Sequence, residues 1–179
     1  PQIVVTGFVD KFFDIQQHGY QRTFDELGIA YQGKSVKEIC SGLVNYIVNS
    51  SDSKEDSVAK IAAVNAMATI YEYMENNNLE IQSLDKVENE MVEQILSTYV
   101  ECYISGRILN DLQFCLEKNS DDIDKTVKIE QEIKDYVSGK VTTTFQIKEI
   151  RDKIFGHQSI EVGIEQLYKK CYSVLEDMV

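Results

Sequence analysis

Near its carboxyl end the chain reads Glu149-Ile150-Arg151-Asp152-Lys153-Ile154-Phe155-Gly156-His157, which sets a guanidinium, a carboxylate directly after it, and an imidazole beyond five intervening residues. A neutral imidazole takes a proton from a hydroxyl or returns one to a leaving oxygen near neutral pH, and a guanidinium stabilises charge that builds on phosphoryl oxygens. Arg151 and His157, with Asp152 beside them, are therefore the candidate catalytic residues. Neither a metal nor any other cofactor is required. On a regular helix a six-residue offset turns two side chains about 120° apart, so one chain alone offers a splayed pair. The same residues also admit a purely structural account, in which Arg151 pairs with a neighbouring carboxylate and His157 follows a Gly156 helix cap, close to the carbonyl end of the helix.

Other chemistries are poorly supplied. Neither G-x-x-x-x-G-K nor G-x-G-x-x-G occurs, so phosphate-cradling loops of those types are excluded. His18 and His157 are the only two imidazoles, too few for a di-iron bundle site or a catalytic zinc. Asp10, Asp14 and His18 fall four apart and could converge on a divalent ion, but a solvated helix face produces the same spacing. Cys40, Cys102, Cys115 and Cys171 form no C-x-x-C pair and read as reduced, buried thiols in a reducing compartment, here the cytoplasm.

The stretch from Arg151 to His157 resembles the R-x(4–6)-H motif of the HEPN superfamily, helical domains that include many metal-independent ribonucleases of bacterial toxin and phage-defence systems. Arg151 and His157 match the basic pair of that motif, and Asp152 matches the polar residue common after its Arg. The family's motif lies in a helical bundle close to one final helix, and residues 158 to 178 provide such a helix. The resemblance implies an endoribonuclease: attack by a ribose 2′-hydroxyl, 2′,3′-cyclic phosphate ends, and a homodimer in which two pairs face one composite cleft. It spans at most residues 85 to 179, its specific part is confined to 151 to 157, and the first 80 residues lie outside it.

The elements that must position these groups are helical. The one proline is Pro1, Trp is absent, and apolar residues recur at three- and four-residue steps through most of the chain. Ser35 and Glu38 form a capping box before Ile39, Leu43, Ile47 and Val48, which predicts a helix from about 36 to 48. An Ala- and Met-rich helix is expected from about 54 to 75, ended by Asn76-Asn77-Asn78. From Ser83 to Lys118 the only breaker is Ser105-Gly106. A single rod of that length would measure about 54 Å, longer than suits a domain with a radius of gyration near ~16 Å, so a kink at Gly106 or a protruding end is expected.

After Asn119-Ser120-Asp121-Asp122 another helix should end at Ser138-Gly139, with Gly139 as its left-handed cap. One of Thr142 to Thr144 would then cap a helix carrying Ile147, Ile150 and Ile154, with Gly156 at its end. A final helix carries a seam of Ile160, Ile164, Leu167, Cys171, Val174 and Met178. Tyr99, Tyr103, Tyr168 and Tyr172 stand at helical spacing and read as core packing, or else as the lining of a pocket or interface. The expected fold is all-α, a single-domain bundle of six or seven helices.

With 179 residues, 43% of them apolar and 27% charged, the chain is long enough to build a core without staples. No apolar run is long enough to span a bilayer, and no membrane role is expected. The chain begins at Pro1, which leaves open the removal of an upstream segment. The net charge is −12, which repels phosphate backbones and anionic lipids at long range. It is unevenly spread: residues 80 to 138 carry 6 basic and 14 acidic side chains, residues 139 to 172 carry 6 and 4. The candidate pair thus sits in the one region that is not acidic. Two readings follow. In the first the chain cuts RNA through Arg151 and His157; in the second it is a non-enzymatic acidic helical protein, of immunity, antitoxin or inhibitor type, whose carboxylates capture a basic protein partner.

Overall fold

The fold is all-α. The computed structural model describes residues 11, 14–15, 17–48, 54–86, 89–119, 123–146 and 160–176. Among them there is no β-strand. The helices are α1 (Tyr20–Leu27), α2 (Val36–Val48), α3 (Lys54–Asn76), α4 (Asn89–Asn119), α5 (Ile123–Gln146) and α6 (Ile160–Leu175), with a 3₁₀ helix at Ile81–Lys86. Two compact units divide the chain, Pro1–Tyr99 and Val100–Val179, the boundary falling within α4. No described helix is long and apolar enough to cross a membrane.

In the first unit the local signals are obeyed closely. Ser35 and Glu38 close the expected capping box: the Ser35 backbone N–H and hydroxyl donate to Glu38 Oε2 at 2.9 and 3.0 Å, and the Glu38 N–H donates to Ser35 Oγ at 3.3 Å. These bonds, the Ser35 backbone donor foremost and Lys34 next, hold the Glu38 carboxyl down to about 2. Helix α2 follows, burying Ile39 and Leu43. Helix α3 packs against it, and within α3 Ala59, Ala62, Ala63 and Ala66 are fully buried, with Met67, Ile70 and Met74 continuing the stripe. It ends at Asn76, and Asn78 takes the left-handed conformation (φ 50°) while the Leu79 N–H reaches back to the Met74 carbonyl at 2.8 Å. That is the Schellman closure, here with Asn in the position glycine usually fills.

Helix α1 ends the same way on Gly28 (φ 67°), with the Ile29 N–H on the Phe24 carbonyl at 2.8 Å. At its other end no local side chain caps it. The acceptor comes from far along the chain: Asp85, in the 3₁₀ helix, accepts from the Tyr20 backbone N–H at 2.6 Å, and Leu84 beside it is buried. Ser83 therefore does not open an α-helix. The long helix begins instead at Asn89, and at 31 residues it runs unbroken through Ser105-Gly106.

The second unit corrects two boundaries. Gly139 is not a cap, because α5 continues through Ser138-Gly139 to Gln146. Thr143 and Thr144 cap no new helix; their hydroxyls bond back to the Gly139 and Lys140 carbonyls at 2.7 and 2.8 Å within the same one. The reason is burial on both sides of the glycine: Ile133, Val137 and Val141 are fully enclosed and Phe145 nearly so. One glycine costs a helix interior only about 1 kcal/mol, less than such a stripe supplies. Helix α6 buries Ile164, Leu167, Tyr168, Cys171 and Leu175, whereas Val174 is 45% exposed. The seam thus turns by one residue at its end, following a helical period of 3.6 rather than 3.5. Ile147, Ile150, Ile154, Gly156 and Met178 lie outside the described residues.

Candidate functional site

Arg151, Asp152 and His157 all lie outside the described residues. The described surroundings are the helices before and after that segment, α5 and α6, which pack on each other. Of the basic residues in this region, Lys140 on α5 has its ammonium 5.5 Å from the centre of the Tyr136 ring, and it is close enough to Cys171 on α6 to pull that thiol down against the larger upward push of burial. Lys169 sits 3.6 Å from Glu165, and Lys170 is exposed.

The most developed polar constellation of the second unit joins α4 to α6. Arg107 lies with Cζ 3.8 Å from the centre of the Tyr168 ring, and its Nη1 donates to Glu165 Oε2 at 2.7 Å. The Tyr168 hydroxyl donates in turn to Asp111 Oδ2 at 2.6 Å. Tyr172 lies against Tyr168, ring centres 5.7 Å apart. Helical geometry builds each half: Arg107 and Asp111 are one turn apart on α4, while Glu165, Tyr168, Lys169 and Tyr172 share a face of α6. Spacing shows each half, but nothing in a single sequence shows that residues 57 and 58 apart will meet. Of the four tyrosines read as core, Tyr99, Tyr103 and Tyr168 are buried and Tyr172 is half-buried.

The electrostatics decide what this constellation can do. Burial works against the Arg107 charge, but the Glu165 hydrogen bond and its charge outweigh that and hold the guanidinium firmly protonated. Tyr168 is pushed well above the ordinary phenol range, first by burial and then by its bond to Asp111. A phenol so raised stays protonated and donates; it offers no base and no nucleophile at neutral pH. Arg107 is already neutralised by Glu165 and covered on one face by Tyr168, so little of it is left for a phosphate. The cluster is a charge-assisted clamp between two helices.

Elsewhere the expected polar faces are internally paired. Lys11 bonds Asp14 at 2.7 Å, Asp10 lies outside the described residues, and His18 is exposed. Among the described residues no group of three His, Cys, Asp or Glu is placed to hold a metal ion. Cys40 and Cys171 are buried free thiols, Cys102 is half-buried, and the Cys115 side chain lies outside the described ones. Burial alone raises the Cys40 thiol to about 11.

No curated protein and no solved structure matches the chain. The family model for the Qat anti-phage system associated protein QatB matches residues 4–175, nearly the whole length and both compact units. The chain belongs to the QatB family, and its role is in an anti-phage defence system.

Proposed function

We propose that the chain is a non-catalytic, acidic helical component of its defence system, acting in the cytoplasm by capturing a basic protein partner. The observation that carries this is where the cations stand. Arg22, Lys34, Arg107, Lys128 and Lys169 each lie within 4.0 Å of a carboxylate of the same chain. What remains unbalanced is negative: residues 1–99 hold 7 Lys and Arg against 15 Asp and Glu, and residues 100–179 hold 11 against 15. Such a surface speeds the encounter with a positively charged protein and disfavours nucleic acid. The test is pairwise co-purification with the other proteins of the same defence system over a salt series. Retention of a basic partner that weakens steeply with salt supports the reading; binding indifferent to salt, or none, removes it.

The second reading is a metal-independent endoribonuclease acting as a homodimer through Arg151, Asp152 and His157. The R-x(5)-H spacing favours it, together with its position in the stretch of residues 139 to 172, whose net charge is +2. Here RNA is the substrate, and the imidazole moves the 2′-hydroxyl proton while the guanidinium holds the phosphoryl charge. Incubation of RNA with wild type and with His157→Ala decides it, given equal circular dichroism and a measured mass in solution. Wild-type cleavage leaving cyclic phosphate ends, abolished in the variant, supports the enzyme; intact RNA with wild type ends it.

A further inference from the structure

Helix α3 is apolar on two sides. Its inner side is the Ala and Met stripe already described. On the outer side, Ile61 is 62% and Val64 47% exposed, and Ala68 is exposed one turn further. A surface helix ordinarily carries polar residues there, and a contiguous exposed apolar strip marks an interaction surface. The strip borders a groove of about 370 Å³ between α2 and α3, floored by Cys40, Val44, Val64, Met67, Ala68 and Tyr71. The spacing continues past Ala68 into Glu72 and Glu75, both exposed, and the Tyr71 hydroxyl at the groove's end donates to Glu75 Oε1 at 2.8 Å. One face of α3 therefore runs from apolar to acidic along its length. Lys37 is the one cation among the residues lining the groove, and Lys34 beyond it is paired to Glu38.

We infer that this groove receives an amphipathic helix of a partner protein, with an apolar seam that lies along Ile61, Val64 and Ala68 and continues into Lys or Arg opposite Glu72 and Glu75. The inference rests on the partner-capture reading and gives it a place. Charge selects the occupant. The unit that holds the groove has 15 acidic against 7 basic side chains, so a cationic helix is drawn to it and an anionic ligand is repelled. A second copy is a poor occupant for the same reason, since it would set one net-negative unit, 15 acidic against 7 basic side chains, against another. The groove's volume suits a few anchoring side chains set in a row, which is the way an amphipathic helix engages a shallow cleft.

The full chain is tested by pairwise co-purification with each of the other proteins of its defence system at about 50 and 500 mM salt, which spans strong to weak screening. Three forms are compared: wild type, Val64→Asp/Ala68→Asp, and Glu72→Lys/Glu75→Lys. The substituted positions are exposed, so the helix content is retained and circular dichroism verifies it. The expected result is one partner held by wild type at low salt. The apolar-strip variant weakens it by about tenfold or more. The Glu-to-Lys variant also weakens it, with a flatter salt dependence, and hydrogen exchange protects a Lys- or Arg-flanked helix of the partner. A partner bound equally by wild type and by the apolar-strip variant, with salt sensitivity intact, overturns the groove and leaves the partner-capture reading standing. Loss of binding in the apolar-strip variant without any salt dependence in wild type overturns the cationic occupant. No bound partner overturns both, and a wild-type dimer that Val64→Asp/Ala68→Asp dissociates makes the occupant a second copy.

Discussion

The Arg107 guanidinium lies over the Tyr168 ring, Cζ 3.8 Å from its centre, while its Nη1 reaches Glu165 at 2.7 Å. One side chain of α4 thus binds α6 by stacking and by charge at once, and the Tyr168 hydroxyl returns the connection to Asp111 on α4. The clamp fastens α6, the helix that follows the segment containing Arg151 and His157, to α4.

Arg107→Lys keeps the charge but loses the planar stack, with an expected loss of about 1 kcal/mol in urea unfolding. Tyr168→Phe keeps the ring and removes the bond to Asp111, costing about 1–2 kcal/mol. The double variant should fall short of the sum, because the two groups share one network. Strict additivity would mean that the stack and the hydrogen bond act independently.

Two glycines should respond with opposite signs. Gly28→Ala puts a side chain at φ 67° and is expected to destabilise by about 1 kcal/mol, although no atom lies within 4 Å of the added carbon. Gly139→Ala meets equally open space within the α5 interior and should stabilise by about 0.5–1 kcal/mol. A destabilising Gly139→Ala in a thermal melt would return that residue to a cap.

The capping box sets an acid limb of stability. Glu38 is held down to about 2 from an ordinary 4.5, so the folded state binds fewer protons than the unfolded one between those values. Its contribution is complete above the ordinary value and disappears as pH falls through about 2. Glu38→Gln should cost most at neutral pH and least near pH 2, flattening the acid side of the stability profile, as read by urea midpoints across pH. Ser35→Ala removes the cap itself and costs about 1 kcal/mol at neutral pH.

Cys40 should resist alkylation in the native protein. Burial raises its thiol to about 11, so very little is thiolate at neutral pH, and only 7% of the residue is exposed, at the floor of the α2–α3 groove. Because the folded pKa exceeds the ordinary 9.0, the thiol's contribution is present below that value and is lost as pH rises toward about 11. Mass spectrometry after iodoacetamide should find Cys40 labelled in urea and protected in buffer.

Much of the fold was legible because its signals are local. Ser35 with Glu38, and Asn76-Asn77-Asn78, mark helix ends through residues three or four apart, and both hold at the expected places. Gly139 misled because a glycine's meaning depends on what flanks it, and a buried stripe from Ile133 to Phe145 outweighs its cost. Val174 misled for a smaller reason, a seven-residue repeat read where the helix turns every 3.6. The Arg107 clamp was illegible in a single sequence, since its halves are 58 residues apart and each looks like an ordinary helix face. The strip of Ile61, Val64 and Ala68 was not set apart within the Ala- and Met-rich helix expected over about 54 to 75. Periodicity alone does not say which of two apolar sides is covered.

The carboxylate that anchors the first helix arrives 65 residues after the amide it receives. A helix of eight residues is too short to persist in water unaided. As the chain leaves the ribosome, Tyr20–Leu27 therefore lacks its capping acceptor until Asp85 has been synthesised, by which point α2 and α3 have already emerged. The cap of this helix is thus completed only after the two helices that follow it in the chain have been made.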